Sequence, residues 1–271
     1  MPELPEVEVT RRALADALVG CAVEGAQVRT AALRYPLPRD LAPRLRGAHL
    51  AGIARRGKYL LFDFGDDRRL LAHLGMSGRL RLVPPGTPPQ KHDHVDIDFG
   101  PWRLRYTDPR RFGALLWVDG PPEAHPLLAP LGLEPLGTGF DAVAMGLTLR
   151  GRRSAIKPAI MDARRVVGIG NIYACEALHR AGIAPSWPAG ELDAARIAAL
   201  VDAIRATLNE AIAAGGSTLR DYAQPDGTLG RFALRHRVYD RAGAPCPVCG
   251  TAIAHFRQLG RSTYYCPRCQ R

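Results

Sequence analysis

The sequence predicts an α+β protein of two domains, an N-terminal β-sandwich with flanking helices and a C-terminal helical domain that closes on a metal-held module. Apolar residues recur with period two between about 22 and 118 and with a helical period beyond 140, and four cysteines end the chain as two Cys-x-x-Cys pairs. With 271 residues and 46% hydrophobic content, the chain has enough apolar material for two cores.

Residues 5–19 read as the first helix. Pro5 suits its opening turn, Glu6 and Glu8 sit at the positive end of the dipole, Val7, Leu14 and Leu18 share a face, and Gly20 follows. From 22 to 118 the alternation is plainest in His94-Val95-Asp96-Ile97-Asp98-Phe99, with turn signals at Gly65-Asp66-Asp67 and Gly100-Pro101, so this region reads as short strands of a sandwich. Residues 119–140 hold five prolines and four glycines, which suit neither sheet nor helix, and are expected to link a first domain at 1–118 to a second domain at 141–230. In that second domain Ile197, Leu200, Val201, Ile204, Leu208 and Ile212 fall on one stripe of a helix at 193–214, between an Asp193 cap and Gly215. Gly168-Ile169-Gly170-Asn171 opens another helix at 172–181. Two glycines there let backbone amides approach one phosphate, although such a turn can also be only a turn. Residues 215–230, with Gly215, Gly216, Pro225, Gly227 and Gly230, read as a mobile loop, and 231–271 as the metal-held module.

Cys246, Cys249, Cys266 and Cys269 have the spacing of one structural, tetrahedral zinc: each short pair converges on an ion from a tight turn, and the sixteen residues between the pairs allow a hairpin. A segment this short cannot bury enough apolar surface to fold alone, whereas a structural zinc supplies roughly 10–16 kcal/mol of apparent binding free energy. Disulfides are the other use of such pairs, and nothing in the chain points to secretion. Around the cysteines, residues 231–271 hold eight arginines against one acid, Asp240, which is +7 of the chain's +11. Guanidinium groups at this density suit phosphate, through bidentate hydrogen bonds and counterion release. A merely solvated basic face is the plainer reading.

A pI near 9.8 likewise points to an anionic partner. No apolar run approaches the roughly 18 residues that would suggest a bilayer span, and three glutamates in the first ten residues do not resemble a signal peptide, so a cytoplasmic, nucleoid-associated protein is expected. Cys21 and Cys175 lie outside any metal spacing and are expected to be buried, reduced thiols.

Eight blocks in order resemble the bacterial formamidopyrimidine-DNA glycosylases. They are Met1-Pro2-Glu3-Leu4-Pro5-Glu6-Val7-Glu8, Arg56 to Leu60, His73 to Gly78, Lys91 to Asp96, Tyr106 to Gly113, Ile156-Lys157-Pro158, Gly168 to Tyr173, and the cysteine quartet. The resemblance implies a sandwich, a helix-two-turn-helix domain with a zinc finger, and a monomer that binds double-stranded DNA between them. It also implies removal of oxidised purines such as 8-oxoguanine, followed by strand cleavage at the abasic site. Pro2 would be the catalytic nucleophile once Met1 is removed, because a secondary α-amine with an ordinary pKa near 7.7–8.0 is on the order of a tenth neutral at pH 7. Glu3 would be its proton-transfer partner. Glu6 would position the terminus or a bridging water, or simply complement the helix dipole. The resemblance places Lys58 near the lesion, makes Asn171 and Arg261 clamps on the phosphate backbone, and sets Lys157 near the damaged nucleotide. His73 and His92 would contact DNA, or be structural. Met76, Arg110 and Phe112 match the side chains that fill the space left by an extruded nucleotide, Arg110 also meeting the orphaned base, although Phe112 could belong to the core. Ser217, Thr218 and Tyr222 fall in the loop that would cover the extruded base.

Two other functions share features with this one. Endonuclease VIII-like glycosylases have the same terminus chemistry and zinc finger but prefer oxidised pyrimidines. A zinc-finger DNA-binding protein without activity would give the basic tail and no covalent adduct.

Overall fold

A computed structural model describes residues 1–217, 225, 227 and 230–271. The chain forms two compact units, Met1–Ala129 with Ala214–Ala233, and Pro130–Ala213 with Leu234–Arg271.

The first unit opens with α1, Leu4–Leu18, whose buried Leu4, Val7, Leu14 and Leu18 face the core. Eight strands follow, with a short helix α2 (Leu41–Leu45) after the first: β1 Gly25–Val28, β2 Gly52–Arg56, β3 Tyr59–Asp63, β4 Arg69–His73, β5 Arg79–Val83, β6 Asp93–Asp98, β7 Arg103–Thr107 and β8 Ala114–Val118. They pair antiparallel into two four-stranded sheets, β1-β6-β7-β5 and β2-β3-β4-β8. Phe62, Leu70 and Leu115 of one sheet meet Leu80, Val95, Ile97, Leu104 and Tyr106 of the other in a common core. This is the sandwich that the period-two segments predict.

The alternate face of β6 and β7 departs from simple alternation, because its polar residues are not left to solvent. Asp96 is 0% exposed and Arg105 is 1% exposed. Arg105 Nε donates to Asp96 at 2.8 Å, Arg29 donates to the same carboxylate at 2.6 Å, and Arg103 pairs with Asp98. Burial pushes the Asp96 pKa upward, but the Arg105 and Arg29 hydrogen bonds outweigh it and hold the group below its usual range. Arg105 also donates to the carbonyls of Thr87 and Pro88, so the ion layer fastens the loop that leads to His92.

In the second unit, helices α3 Ala142–Leu149, α4 Ile156–Met161, α5 Asn171–Ala181 and α6 Ala194–Ala213 precede a hairpin of β9 Ala254–Gln258 and β10 Arg261–Tyr265. Leu200, Val201, Ile204, Leu208 and Ile212 are buried on α6 as the stripe predicts, and the Asp193 carboxylate caps it by accepting the Arg196 backbone N–H at 2.8 Å. The hairpin spans the two cysteine pairs and turns through Leu259 and Gly260, both at positive φ. No helix of the described residues is long and apolar enough to cross a membrane.

The segment 119–140 has one 3₁₀ turn, Pro122–Ala124, and the boundary between units falls inside it at Ala129/Pro130. The described ends of the 215–230 loop pack with the first unit. Ser217 and Arg231 form a β-bridge, and the Ser217 N–H is held by Glu6 of α1. Thr218 and Tyr222 lie outside the described residues.

Candidate functional site

At the start of the chain Pro2 is buried, Glu3 is 4% exposed and Glu6 is 2% exposed. Glu6 faces two ways. One carboxylate oxygen accepts the backbone N–H of Glu3 at 2.8 Å and the other accepts that of Ser217 at 2.7 Å. Gly216 permits the second bond: its φ is +81°, and a Cβ there would come within 3.0 Å of the Glu6 carboxylate. Both roles open to Glu6, dipole partner and positioning group, are compatible with this geometry in the first turn.

Glu8, read from the sequence only as a partner of the helix dipole, fixes the other flank of α1. It accepts hydrogen bonds from Arg11, Arg12 and Arg55, the last at 2.9 Å across to β2, and Arg55 also donates to the Gly57 carbonyl in the turn that carries Lys58. Burial alone would raise the Glu8 pKa, yet the three arginines hold it at about 2. The helix bearing Pro2 and the turn bearing Lys58 are thereby joined by one buried ion pair.

His73, opposite Tyr59 in the β3–β4 ladder, stacks on it with ring centroids 4.8 Å apart. Burial, reinforced by Lys58 and Arg34, lowers its pKa to about 4, so the ring is neutral at pH 7. Its Nδ1 accepts the Gly75 N–H at 3.1 Å, which leaves the proton on Nε2. His92 is half-buried at φ +76°, and its carbonyl accepts the Asp108 N–H at 3.1 Å.

Met76, Arg110 and Phe112 are 38% exposed, exposed and 45% exposed respectively, so Phe112 is no core residue. The Arg110 guanidinium lies 4.8 Å from the centroid of the Phe112 ring. Their two loops are locked by a residue the sequence reading passed over. Asp108, fully buried, accepts the Ser77 hydroxyl at 2.7 Å, the Gly113 N–H at 2.8 Å and the Arg110 N–H at 3.3 Å. A Cβ on Gly75 would lie 2.5 Å from the Phe112 carbonyl carbon, which measures how closely the loops approach. The Asp-Pro-Arg-Arg and Gly-Met-Ser-Gly turns were the available signal for this clasp.

In the second unit Asn171 begins α5 behind Gly170, as the glycine turn predicts. Its Nδ2 donates to the Ser262 carbonyl at 2.9 Å, which ties the helix to β10 next to Arg261. Lys157 is buried beside Asn171. Its side chain is 1% exposed, and its ammonium donates to Asn171 Oδ1 at 2.6 Å, Thr263 Oγ1 at 2.8 Å and the Ser262 carbonyl at 3.2 Å. An ammonium packed under α5 must be surrounded by oxygens, so it stands behind the Asn171–Arg261 pair rather than at the surface. A cavity of about 190 Å³ opens beside these residues, lined by Lys157, Met161, Gln258 and Arg261 among others. The larger concavity of the first unit, about 640 Å³, is lined by residues such as Glu24, Gln27, Arg46 and Asp98, and by none of the candidate residues.

The thiol sulfurs of Cys246, Cys249, Cys266 and Cys269 all lie within 4.8 Å of one another. Cys249 and Cys266 are 3.4 Å apart and Cys246 and Cys269 3.9 Å apart. Zinc bonded to four sulfurs at about 2.3 Å needs them roughly 3.8 Å apart, so the quartet fits one structural zinc. Cys175 is buried against this cluster, whereas Cys21 is only half-buried, its Sγ 3.9 Å from the Ala17 carbonyl oxygen.

Family models match nearly the whole chain. Residues 1–115 match the formamidopyrimidine-DNA glycosylase N-terminal domain, 131–223 its H2TH domain, and 243–271 the zinc finger found in FPG and IleRS. The formamidopyrimidine-DNA glycosylase of Methylococcus capsulatus is 55% identical over 272 residues, with all of both chains covered. A Lactococcus lactis FPG mutant solved with Fapy-dG-containing DNA superposes with a TM-score of 0.91 at 36% identity, again over all of both chains. A MutM solved with DNA containing carbocyclic 8-oxo-G gives a TM-score of 0.90 at 36% identity over the same extent. With three consecutive domains matched in order and more than half of its residues identical to a full-length relative, the chain belongs to the formamidopyrimidine-DNA glycosylase family.

Proposed function

We propose that the protein is a bifunctional DNA glycosylase and abasic-site lyase of base-excision repair, acting on oxidised purines in duplex DNA as a single chain in the cytoplasm, at the nucleoid. The observation that carries this reading is the buried Pro2-Glu3 start of α1, braced by Glu6, on a chain whose solved relatives hold 8-oxo-G and Fapy-dG DNA.

Once Met1 is removed, the Pro2 nitrogen lone pair attacks C1′ of the damaged nucleoside as the glycosidic bond breaks, and the base leaves with that electron pair and takes up a proton. Glu3 protonates the ring oxygen as the sugar opens, and the secondary amine becomes a cationic iminium. That cation draws electrons from C2′, so loss of a C2′ proton expels the 3′ phosphate, and a second elimination expels the 5′ phosphate. Lys58, held by the Glu8–Arg55 bridge, offers positive charge to the strand in this step. Met76 and Phe112 restore the stacking lost when the nucleotide leaves the duplex, and Arg110 hydrogen-bonds the orphaned cytosine. His73, a neutral donor, and the half-buried His92 contact DNA. Asn171 and Arg261 grip the backbone phosphates, and Lys157 adds its charge from behind. The zinc organises the β9–β10 hairpin that presents Arg261.

The test is borohydride trapping on a duplex with 8-oxoguanine opposite cytosine. A processed chain is expected to form a covalent adduct at Pro2, and a chain with a blocked Pro2 nitrogen to lose excision by roughly 10³-fold or more. Adduct formation through another side chain in the blocked protein would overturn the mechanism, and preferential trapping on thymine glycol would favour the pyrimidine-directed alternative.

A further inference from the structure

His179 lies in the last turn of α5 and is 4% exposed. Its ring Nε2 stands 3.4 Å from the sulfur of Cys246, while its Nδ1 meets no hydrogen-bond partner among the described residues. A phenylalanine would fill such a space without leaving a buried nitrogen unpaired, so an imidazole is favoured here only if its N–H has work to do. The neighbouring turn of the helix is fastened as well: the buried Glu176 carboxylate accepts the backbone N–H groups of Arg237, Val238 and Tyr239 at 2.9, 3.0 and 2.8 Å. Glu176 and His179 are three residues apart and so lie on one face of α5.

We propose that His179 is a positioning residue of the zinc site, donating its Nε2–H to the Cys246 thiolate and so tying the metal to the helix that begins at Asn171. Four thiolates on one divalent ion leave a net charge of about −2 in a partly buried cluster, and N–H donors to sulfur are what disperses it. The backbone N–H of Cys269 lies 3.4 Å from the Cys266 sulfur in the same way. For Cys246 the donor comes from a different element, so the bond also fixes where α5 ends relative to the metal. With Asn171 at the other end of an eleven-residue helix, one rigid rod sets the distance between the phosphate-gripping amide and the zinc knuckles.

The experiment challenges zinc-loaded protein with excess chromogenic chelator and follows the release rate for wild type, His179→Phe and His179→Gln. Phenylalanine keeps the ring and removes the donor, whereas glutamine removes the ring and keeps one. His179→Phe is expected to release zinc about 10-fold faster than wild type or more, in line with the loss of an outer-shell partner, with His179→Gln in between. Phenylalanine as slow as wild type, or both variants equally fast, would overturn the proposal. A second reading needs no variant: long-range ¹H–¹⁵N spectra of the wild-type ring are expected to show a neutral imidazole protonated at Nε2, and protonation at Nδ1 would overturn it. The proposal rests on the zinc reading. Wild-type protein that carries no zinc by native mass would overturn the site and the proposal together, whereas a failure of the variants alone leaves the site standing.

Discussion

The two units brace their candidate side chains with different groups, although a buried carboxylate, Glu176, also gathers backbone N–H groups in the second. In the first unit carboxylates do the holding: Glu6 gathers the N–H groups of Glu3 and Ser217, Glu8 gathers three arginines, and Asp108 gathers Ser77, Arg110 and Gly113. In the second unit the clamp is held by the Lys157 cation, which gathers the oxygens of Asn171, Ser262 and Thr263, and by the cysteine quartet. On the proposed mechanism, the difference follows from what each must present. A nucleophilic amine and a set of void-filling side chains need fixed backbone, which anionic acceptors of N–H bonds provide. A phosphate-gripping surface gains from a positive group behind it, because the same charge that fixes the amide also attracts the ligand.

Stripping the zinc breaks the contrast most severely. Removing the metal with a chelator is expected to melt the β9–β10 hairpin and weaken DNA binding by roughly 100-fold, while amides of β3 and β4 stay protected from hydrogen exchange. Loss of protection in those strands as well would show that the first unit depends on the metal after all. Asp108→Ala is the smaller counterpart in the first unit. It strands the Ser77 hydroxyl proton and the Gly113 N–H, and is expected to cost about 1–3 kcal/mol in denaturant unfolding. Discrimination of the base opposite the lesion should fall with it, while borohydride trapping on a ready-made abasic site is retained. Equal losses in both assays would make Asp108 a general stabiliser and not a positioner of Arg110 and Phe112.

The mildest probe is pH. Glu8 has its pKa lowered from 4.5 to about 2, so the stability it contributes is complete above 4.5 and disappears as pH falls to about 2. His73, lowered from 6.5 to about 4, is neutral in the fold, and unfolding gains a proton there, so its share of stability is lost as pH falls from 6.5 to 4. Melting temperatures measured across this range should therefore decline in two overlapping stages. Glu8→Gln is expected to flatten only the lower one, and a profile unchanged by that substitution would remove Glu8 from the account.

Where local pattern decides structure, the sequence was readable. The cysteine spacing, the α6 stripe with its Asp193 cap, the alternation at His94–Phe99 and the glycine turn before Asn171 all appear where the periodicities place them. What escaped depends on partners far apart in the chain. Lysine is ordinarily exposed, so nothing local indicates that Lys157 lies buried beneath Asn171 with its oxygens supplied from residues 262 and 263. Asp108 reads as a turn residue until Ser77, 31 positions earlier, is brought against it. The outward face of β6 reads as solvated because an aspartate alternating with valine has no local sign of the Arg29 and Arg105 that cover it.

The Glu6 bridge joins positions 211 residues apart. The bracing of α1 is therefore among the last contacts to be finished, since Glu6 waits for a segment more than two hundred positions further along the chain. Loop-closure entropy of that length must be met by the folded sandwich before the bond can form. On the proposed mechanism, a fragment that stops short of Ser217 lacks the bond that holds Glu6 and with it part of the bracing around Pro2.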